Sequence, residues 1–405
     1  MKKICFLVGS IGISGGTYVI IQHASYLREQ GYNVFIAIQS SFNEKTLKWH
    51  DKLSQLNCVS FDDAKLEKYD LVIATWWKTA VHLHEFNSQH FGYFIQSIES
   101  KFYSSEQTAL RQYVDATYKL PVHMVTEATW IQGFLKQQFG QNASLVKNGI
   151  RKDIYNNTNK RERTGFRVLV EGHFGVPFKN TALAIKLAKQ ANVRDIWVLT
   201  GSPIKWLPGV SKVFSQIPMS ETANIYKQCD VIIKLSTVEG MFGPPLEMFH
   251  CGGTAIVFNV SGHDEYIINN FNARVIEDNN VDEVVRFIRE LQEDVDKLNA
   301  LKDGALITAD SWPSWDYSSK KFSEWIKGIL IQPNSNSVSN DIKEINDFHL
   351  TTYRTSTSAK LSKRRSTAFV MFVKKSSHHI PIHIKSIIKQ CQAIFEVLSQ
   401  KRDVK

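Results

Sequence analysis

Apolar residues in the first part of the chain fall into two patterns. Short unbroken runs at 3–8, 33–38, 70–74, 92–96 and 122–126 predict strands buried on both faces. Stretches at 17–29 and 128–139, where apolar positions recur every three or four residues, predict helices. The same grammar restarts past 165, with strands at 166–171, 195–200, 230–235 and 254–258 and helices at 180–190, 221–228, 245–250 and 281–298. Strands alternating with helices predict an α/β fold of two doubly wound, Rossmann-like domains. The stretch 156–163 is polar and charged, lacks an apolar period, and marks the join.

Past 331 the pattern changes. Residues 332–340 (Gln-Pro-Asn-Ser-Asn-Ser-Val-Ser-Asn) are rich in turn formers and read as a linker. A Ser/Thr-rich basic stretch with Lys360, Lys363, Arg364 and Arg365 follows. Ile384, Ile387, Ile388, Cys391, Ile394, Phe395 and Leu398 then fall at helical spacing. Such a basic amphipathic helix fits an anionic membrane surface, and fits equally well a helix packed back on the body or on a partner.

Of the 405 residues 43% are hydrophobic and 22% charged, which excludes a disordered chain. No apolar run approaches the roughly 20 residues a spanning helix needs. The start Met1-Lys2-Lys3 with an apolar run resembles a signal peptide. Gly9, Gly12 and Gly15 interrupt that run, and a buried first strand accounts for the pattern better. Cys5, Cys58, Cys229, Cys251 and Cys391 are scattered with no Cys-x-x-Cys, so a reducing cytoplasm is expected. Charge is uneven: residues 331–405 hold 13 Lys/Arg against 5 Asp/Glu, and residues 1–330 hold 36 against 34. A near-neutral body argues against nucleic acid as its partner.

Ligands of open α/β sheets bind beyond the carboxyl ends of the strands, so two such domains predict a cleft between them. Gly9, Gly12, Gly15 and Gly16 follow the first strand, where a helix start offers free N–H groups to an anion. Their spacing is not Gly-x-Gly-x-x-Gly, and Gln39 and Ser40 stand where a dinucleotide site needs an acid, which disfavours a dehydrogenase. In the second half, Glu239 and Glu247 lie eight positions apart, one on the loop after a buried strand and one in the first turn of the next helix. Glu247 there can bond vicinal hydroxyls or simply complement the helix dipole. Lys179 and His173, after the strand 166–171, can carry positive charge into the cleft. A lone lysine at a helix start is also a common solubilising residue. Asp294-Val295-Asp296 is read inside a helix with its carboxylates pointing apart, and Pro381 separates His379 from His383, so no metal pair is expected.

The segment Glu239 to Glu247 resembles the E-x7-E motif of the retaining glycosyltransferases of family 4, which have the GT-B fold. Gly15-Gly16, Asn148-Gly149-Ile150, Lys179 and the run Cys251 to Val257 with Gly262 and Glu265 are similar to further family segments in the same order. The chain departs at His173, where the family has Arg, at Ala255 for proline, and at Gly243, displaced by one position. A family histidine on the acceptor side has no clear match among Trp76, Trp77, His82 and His84. Phe94 to Tyr103 is similar to a segment of a bacterial rhamnosyltransferase branch.

The resemblance implies an acceptor-side domain at 1–158, a donor domain at 159–310, a closing helix at 311–330, and a linker and basic tail at 331–405. It implies Glu239, Lys179 and His173 as the catalytic group and Gly15, Gly16, Met241, Phe242, Gly243 and Glu247 as donor-binding. Neither a metal nor another cofactor is implied. The partners implied are a nucleotide-sugar donor (dTDP-rhamnose through the branch) and a saccharide or lipid-linked saccharide acceptor in cell-surface polysaccharide synthesis. They place the protein in the cytoplasm or on the inner face of the membrane through 360–405. The rival readings are a sugar-nucleotide epimerase, a binding protein without catalysis, and a tail that binds nucleic acid.

Overall fold

The structure, a computed structural model, describes residues 1–43, 47–158, 165–333, 338–363 and 390. The first unit holds β1 (Lys3–Val8), β2 (Asn33–Ile38), β3 (Asn57–Ser60), β4 (Lys68–Ala74), β5 (Asn87–Ile95), β6 (His123–Thr126) and β7 (Ser144–Leu145). Its helices are α1 (Gly15–Glu29), α2 (Phe61–Lys65), α3 (Trp77–Ala80), α4 (Thr108–Ala116) and α5 (Thr129–Phe139). The second unit holds β8 (Arg167–Glu171), β9 (Asp195–Thr200), β10 (Lys212–Ser215), β11 (Val231–Lys234), β12 (Thr254–Phe258) and β13 (Ala273–Ile276). With them go α6 (Thr181–Gln190), α7 (Met219–Tyr226), α8 (Gly243–His250), α9 (Val281–Glu293) and α10 (Val295–Ser311). Helices α11 (Trp315–Leu330) and α12 (Val338–Lys363) follow.

Both sheets are parallel, in the orders β3-β2-β1-β4-β5-β6-β7 and β10-β9-β8-β11-β12-β13. The order reverses beside β1 and beside β8, the two doubly wound switch points where a cleft opens. Alternation along the strands feeds two cores per sheet. Ile4, Phe6 and Val8 face one apolar cluster, Cys5 and Leu7 another. In β11, Val231 and Ile233 face one cluster and Ile232 the other. That two-sided burial is why these strands are continuous apolar runs.

The two units are joined by crossings that run side by side. Ile150 N–H donates to Pro313 O at 3.1 Å, and Trp312 Nε1 donates to Asn148 O at 2.9 Å. A side chain at Gly149 would meet the Ser314 backbone at 2.4 Å, so only glycine lets the outgoing and returning segments touch. Helix α11 then lies on α1 of the first unit. Phe322, fully buried, stacks on His23 at 4.2 Å, Ser319 Oγ bonds His23 Nδ1 at 3.1 Å, and Trp315 Nε1 donates to Tyr18 OH at 2.8 Å. Burial pulls His23 down to about 3, so the ring packs there as a neutral aromatic.

Three expectations need correction. The helix expected over 281–298 is two helices, because Asp294 takes an extended conformation and its carboxylate accepts Lys297 N–H at 2.8 Å. Asp294 is therefore a helix cap, and the Asp294–Asp296 pair does not sit inside one helix. Glu247 falls in the second turn of α8, which begins two residues earlier than expected. The basic Ser/Thr-rich stretch begins as helix α12. Val338, Ile342, Ile345, Leu350 and Tyr353 pack on the first unit, and Tyr353 stacks on Tyr113 at 5.5 Å. The periodic segment 384–398, apart from Gln390, and His379 and His383 lie outside the described residues. Among the described residues no helix is long and apolar enough to cross a membrane.

Phe322→Ala is expected to destabilise the protein by about 3–5 kcal/mol, since it opens a cavity under α1. Urea denaturation measures this, and a loss below about 1 kcal/mol would show that α11 is not a core element.

Candidate active site

The carboxyl ends of the two sheets face one another across a cleft of ≈ 590 Å³. That is within the roughly 300–1,000 Å³ of ordinary ligand sites. On the first-unit side, Ser14 caps α1 by accepting Thr17 N–H at 3.1 Å, and Gly15 and Gly16 begin the helix at the cleft wall. Trp76 also lines the cleft. Trp77 is buried beside it, His82 pairs with Glu85 at 2.6 Å, and Ser339 of α12 donates to His84 O. Neither histidine lines the cleft, so the acceptor-side position remains without a histidine.

On the second-unit side a four-membered charge cluster forms the floor. Both oxygens of Glu239 accept from Lys179 Nζ at 2.8 Å. Lys234, the last residue of β11, bonds Glu171, the last residue of β8, and lies 3.6 Å from Glu239. The parallel pairing Ile233–Val170 sets Lys234 and Glu171 side by side at the strand ends. Burial would push Glu239 up, but the charges of Lys179 and Lys234 outweigh it and hold the carboxyl below the usual range. Burial likewise opposes the charge on Lys234, and Glu171 and Glu239 reverse that, so its ammonium is held above its ordinary value.

Glu247 sits one helical stretch away, bonded by the phenols of Tyr226 and Tyr155. Burial pushes its carboxyl up to about 7 in spite of them. His173 lines the cleft with its ring against Gly201, where a methyl group would meet it at 2.3 Å. Met241 and Gly243 line the same wall. Phe242 does not: it is fully buried in the core beneath the loop. The cleft thus brings together Glu239, Lys179, His173, Gly15, Gly16, Met241, Gly243 and Glu247.

The loop 239–241 is also gripped from the opposite unit. The Gln96 carbonyl passes so close to Gly240 that a side chain there would meet it at 1.8 Å. Trp130 Nε1 donates to Gly240 O at 3.0 Å, and Glu127 accepts Met241 N–H at 3.0 Å and Asn148 Nδ2 at 2.8 Å. Burial pushes Glu127 up to about 7 against those two hydrogen bonds, with the Glu239 charge adding to the rise. At the edges, Phe102 stacks on Phe178 at 5.0 Å, and Glu265 bonds Thr129 and pairs with Lys147 at 2.6 Å.

Sequence reasoning missed Glu127, Lys234 and Glu171. Each is a charge at, or just past, the carboxyl end of a strand. That is the one signal the sequence held for them.

Residues 207–306 match the family model described as Glycosyl transferases group 1. The chain is a glycosyltransferase. Its matched segment runs from the loop before β10, through Lys234 and Glu239 of the charge cluster, into α10. No curated protein sequence matches the enzyme. In fold it is similar to sucrose-phosphate synthase from Thermosynechococcus elongatus, at 12% identity and a TM-score of 0.64, over 82% of this chain and 99% of that one. It is likewise similar to Anabaena HepE in complex with UDP-glucose, at 17% identity and a TM-score of 0.65, over 81% of this chain and 100% of that one. A glycosyltransferase from Rickettsia africae aligns at 16% identity and a TM-score of 0.61, over 82% and 99%. These likenesses establish the GT-B fold of two facing Rossmann-like domains.

Glu127 and Glu247 titrate higher folded than the ordinary 4.5. A raised carboxyl contributes stability that is full below the unfolded value and lost as pH rises through the folded one. The melting temperature of the transferase is therefore expected to fall as pH rises from about 4.5 to about 7 and to level off above that. Glu127→Gln and Glu247→Gln should each remove part of that slope in differential scanning calorimetry, and a flat wild-type profile would refute the assignment.

Proposed function

We propose that the enzyme is a retaining transferase that moves a sugar from a nucleoside-diphosphate sugar to a hydroxyl of a saccharide acceptor. The observation that carries this reading is the carboxylate of Glu239, held between Lys179 and Lys234 at the strand ends and facing the N-terminus of α1. A carboxylate fixed in that way orients a sugar hydroxyl, and a lysine beside it meets the charge that grows on a departing diphosphate.

The bond from the sugar's anomeric carbon to the diphosphate breaks, and the acceptor oxygen bonds the same carbon on the same face. The acceptor proton passes to the departing phosphate oxygen. Lys179, with His173 when protonated, steadies the diphosphate. The backbone N–H groups at Gly15 and Gly16 and at Met241 and Gly243 border it, and Glu247 bonds the ribose hydroxyls. The protein supplies orientation and fixed charge. No metal enters this reading, so activity is expected to survive chelation by EDTA.

Rhamnose as the sugar rests on the resemblance of Phe94 to Tyr103. In the fold that segment borders the seam between units: Ser97 Oγ donates to Glu239 O at 3.4 Å, and Phe102 meets Phe178. An anionic membrane surface as a partner rests on the charge of 360–405. Helix α12 packs on the body, so the informative truncation removes 364–405 and spares it. Liposome binding is expected to be lost in that variant, and unchanged binding would sink the membrane contact.

Thermal shift with UDP, GDP and dTDP tests the donor. Ligand at about a hundredfold its dissociation constant adds roughly 2.7 kcal/mol. One nucleotide is expected to shift the wild type and to lose its effect in Glu247→Ala. Lys179→Met is expected to lower kcat by about 10²–10³. If no nucleotide shifts the wild type, the transferase reading of the cleft is wrong.

A further inference from the structure

Glu239 has more positive charge around it than it needs. Lys179 alone satisfies both its oxygens at 2.8 Å. Lys234 nonetheless lies 3.6 Å from the same carboxylate, with its side chain 2% exposed, at the end of a strand that otherwise reads Val231-Ile232-Ile233. An ammonium buried so deeply is costly unless it is paired, and nothing about packing calls for one at that position. Two cations and two carboxylates, Glu239 and Glu171, make the cluster neutral.

The two lysines differ in how firmly they are held. Lys234 belongs to a central strand and is enclosed between Glu171, Glu239 and the ring of Phe242, 5.9 Å away. Lys179 sits on a single turn that ends at Asn180, whose φ is 49°, and its side chain is 22% exposed toward the cleft. Of the pair, Lys179 can leave Glu239 and Lys234 cannot.

We propose that Lys234 is the standing counter-ion of Glu239, a positioning residue that releases Lys179 to the diphosphate of the donor. The inference rests on the reading above, in which Lys179 meets that diphosphate. When Lys179 turns to the phosphates, Glu239 stays buried and ionised against Lys234 and keeps its aim at the sugar. Without Lys234 the same movement strands a buried carboxylate, so diphosphate and Glu239 compete for one lysine. The other charged group packed against this carboxylate, Glu127 of the first unit, is of like sign and cannot substitute. Pairing with Glu171 alone would make Lys234 a purely structural residue, and the two roles predict different measurements.

Lys234→Met leaves Glu171 without its partner and can fail to fold, so the test uses Glu171→Gln/Lys234→Met in the full chain, with Glu171→Gln as its control. Calorimetric titration compares UDP with UMP, GDP with GMP, and dTDP with dTMP. The preference of the wild type for diphosphate over monophosphate is expected to fall at least tenfold in the double variant and to hold in the control. A structural residue would weaken both nucleotides alike, and an unchanged ratio overturns the proposal.

A second arm needs no nucleotide. Lys179→Met imitates the departed lysine, and carbon-13 NMR of labelled glutamate follows the Glu239 carboxyl, assigned with Glu239→Gln. Glu239 is expected to remain ionised at pH 7 in Lys179→Met and to become protonated when Glu171→Gln/Lys234→Met is added. Protonation already in Lys179→Met overturns the proposal. A wild type that binds no nucleotide overturns the transferase reading, while the NMR arm still decides the role of Lys234.

Discussion

The pass of Gly240 beneath the Gln96 carbonyl is the constraint on which the arrangement of the cleft depends. It brings the backbone of one unit within contact of the other at the loop that carries Glu239. With that approach made, Trp130, Glu127 and Ser97 of the first unit reach the 239–241 backbone, and the loop is held from both sides. A larger residue at 240 would hold the units apart, and each of those hydrogen bonds would lengthen together. The position of Glu239 is thus set by the closure of two domains as well as by its own strand.

The buried charges follow the same geometry. Parallel strands end in register, so side chains at their carboxyl ends emerge next to one another. Glu171 and Lys234 are neighbours for that reason, and Glu171 makes the buried ammonium of Lys234 tolerable. Glu127, just past the end of β6 in the facing sheet, meets a backbone N–H and a side-chain amide instead of a cation, which is why burial raises it where Glu239 is lowered.

Much of the fold was legible in the sequence because the central strands are buried on both faces. Residues such as Ile4 to Val8 or Val231 to Ile233 have no polar side to interrupt the run. The short edge strands β3, β7, β10 and β13 were missed, since half-exposed strands such as Lys212–Ser215 mix polar and apolar positions. The break at Asp294 was hidden because the apolar period continues across it. Helix α12 was hidden by its Ser, Thr and Asn content. In the site, Glu239, Lys179 and Glu247 were visible through a spaced motif. Glu127 and Lys234 were not, because what distinguishes them is burial against elements far away in the chain; Glu127 and Met241 are 114 positions apart.

The return of α11 has a consequence for how the chain is made. The face of α1 that carries Tyr18 and His23 is covered by residues that leave the ribosome only after the whole second unit has been synthesised. At about 5–20 residues per second, the stretch from the last strand of the first unit to Trp315 takes on the order of ten to thirty seconds. For that interval the first sheet is complete but one apolar flank of its helix layer is bare. The nascent protein must either be shielded there by a chaperone or tolerate the exposure until α11 docks on α1.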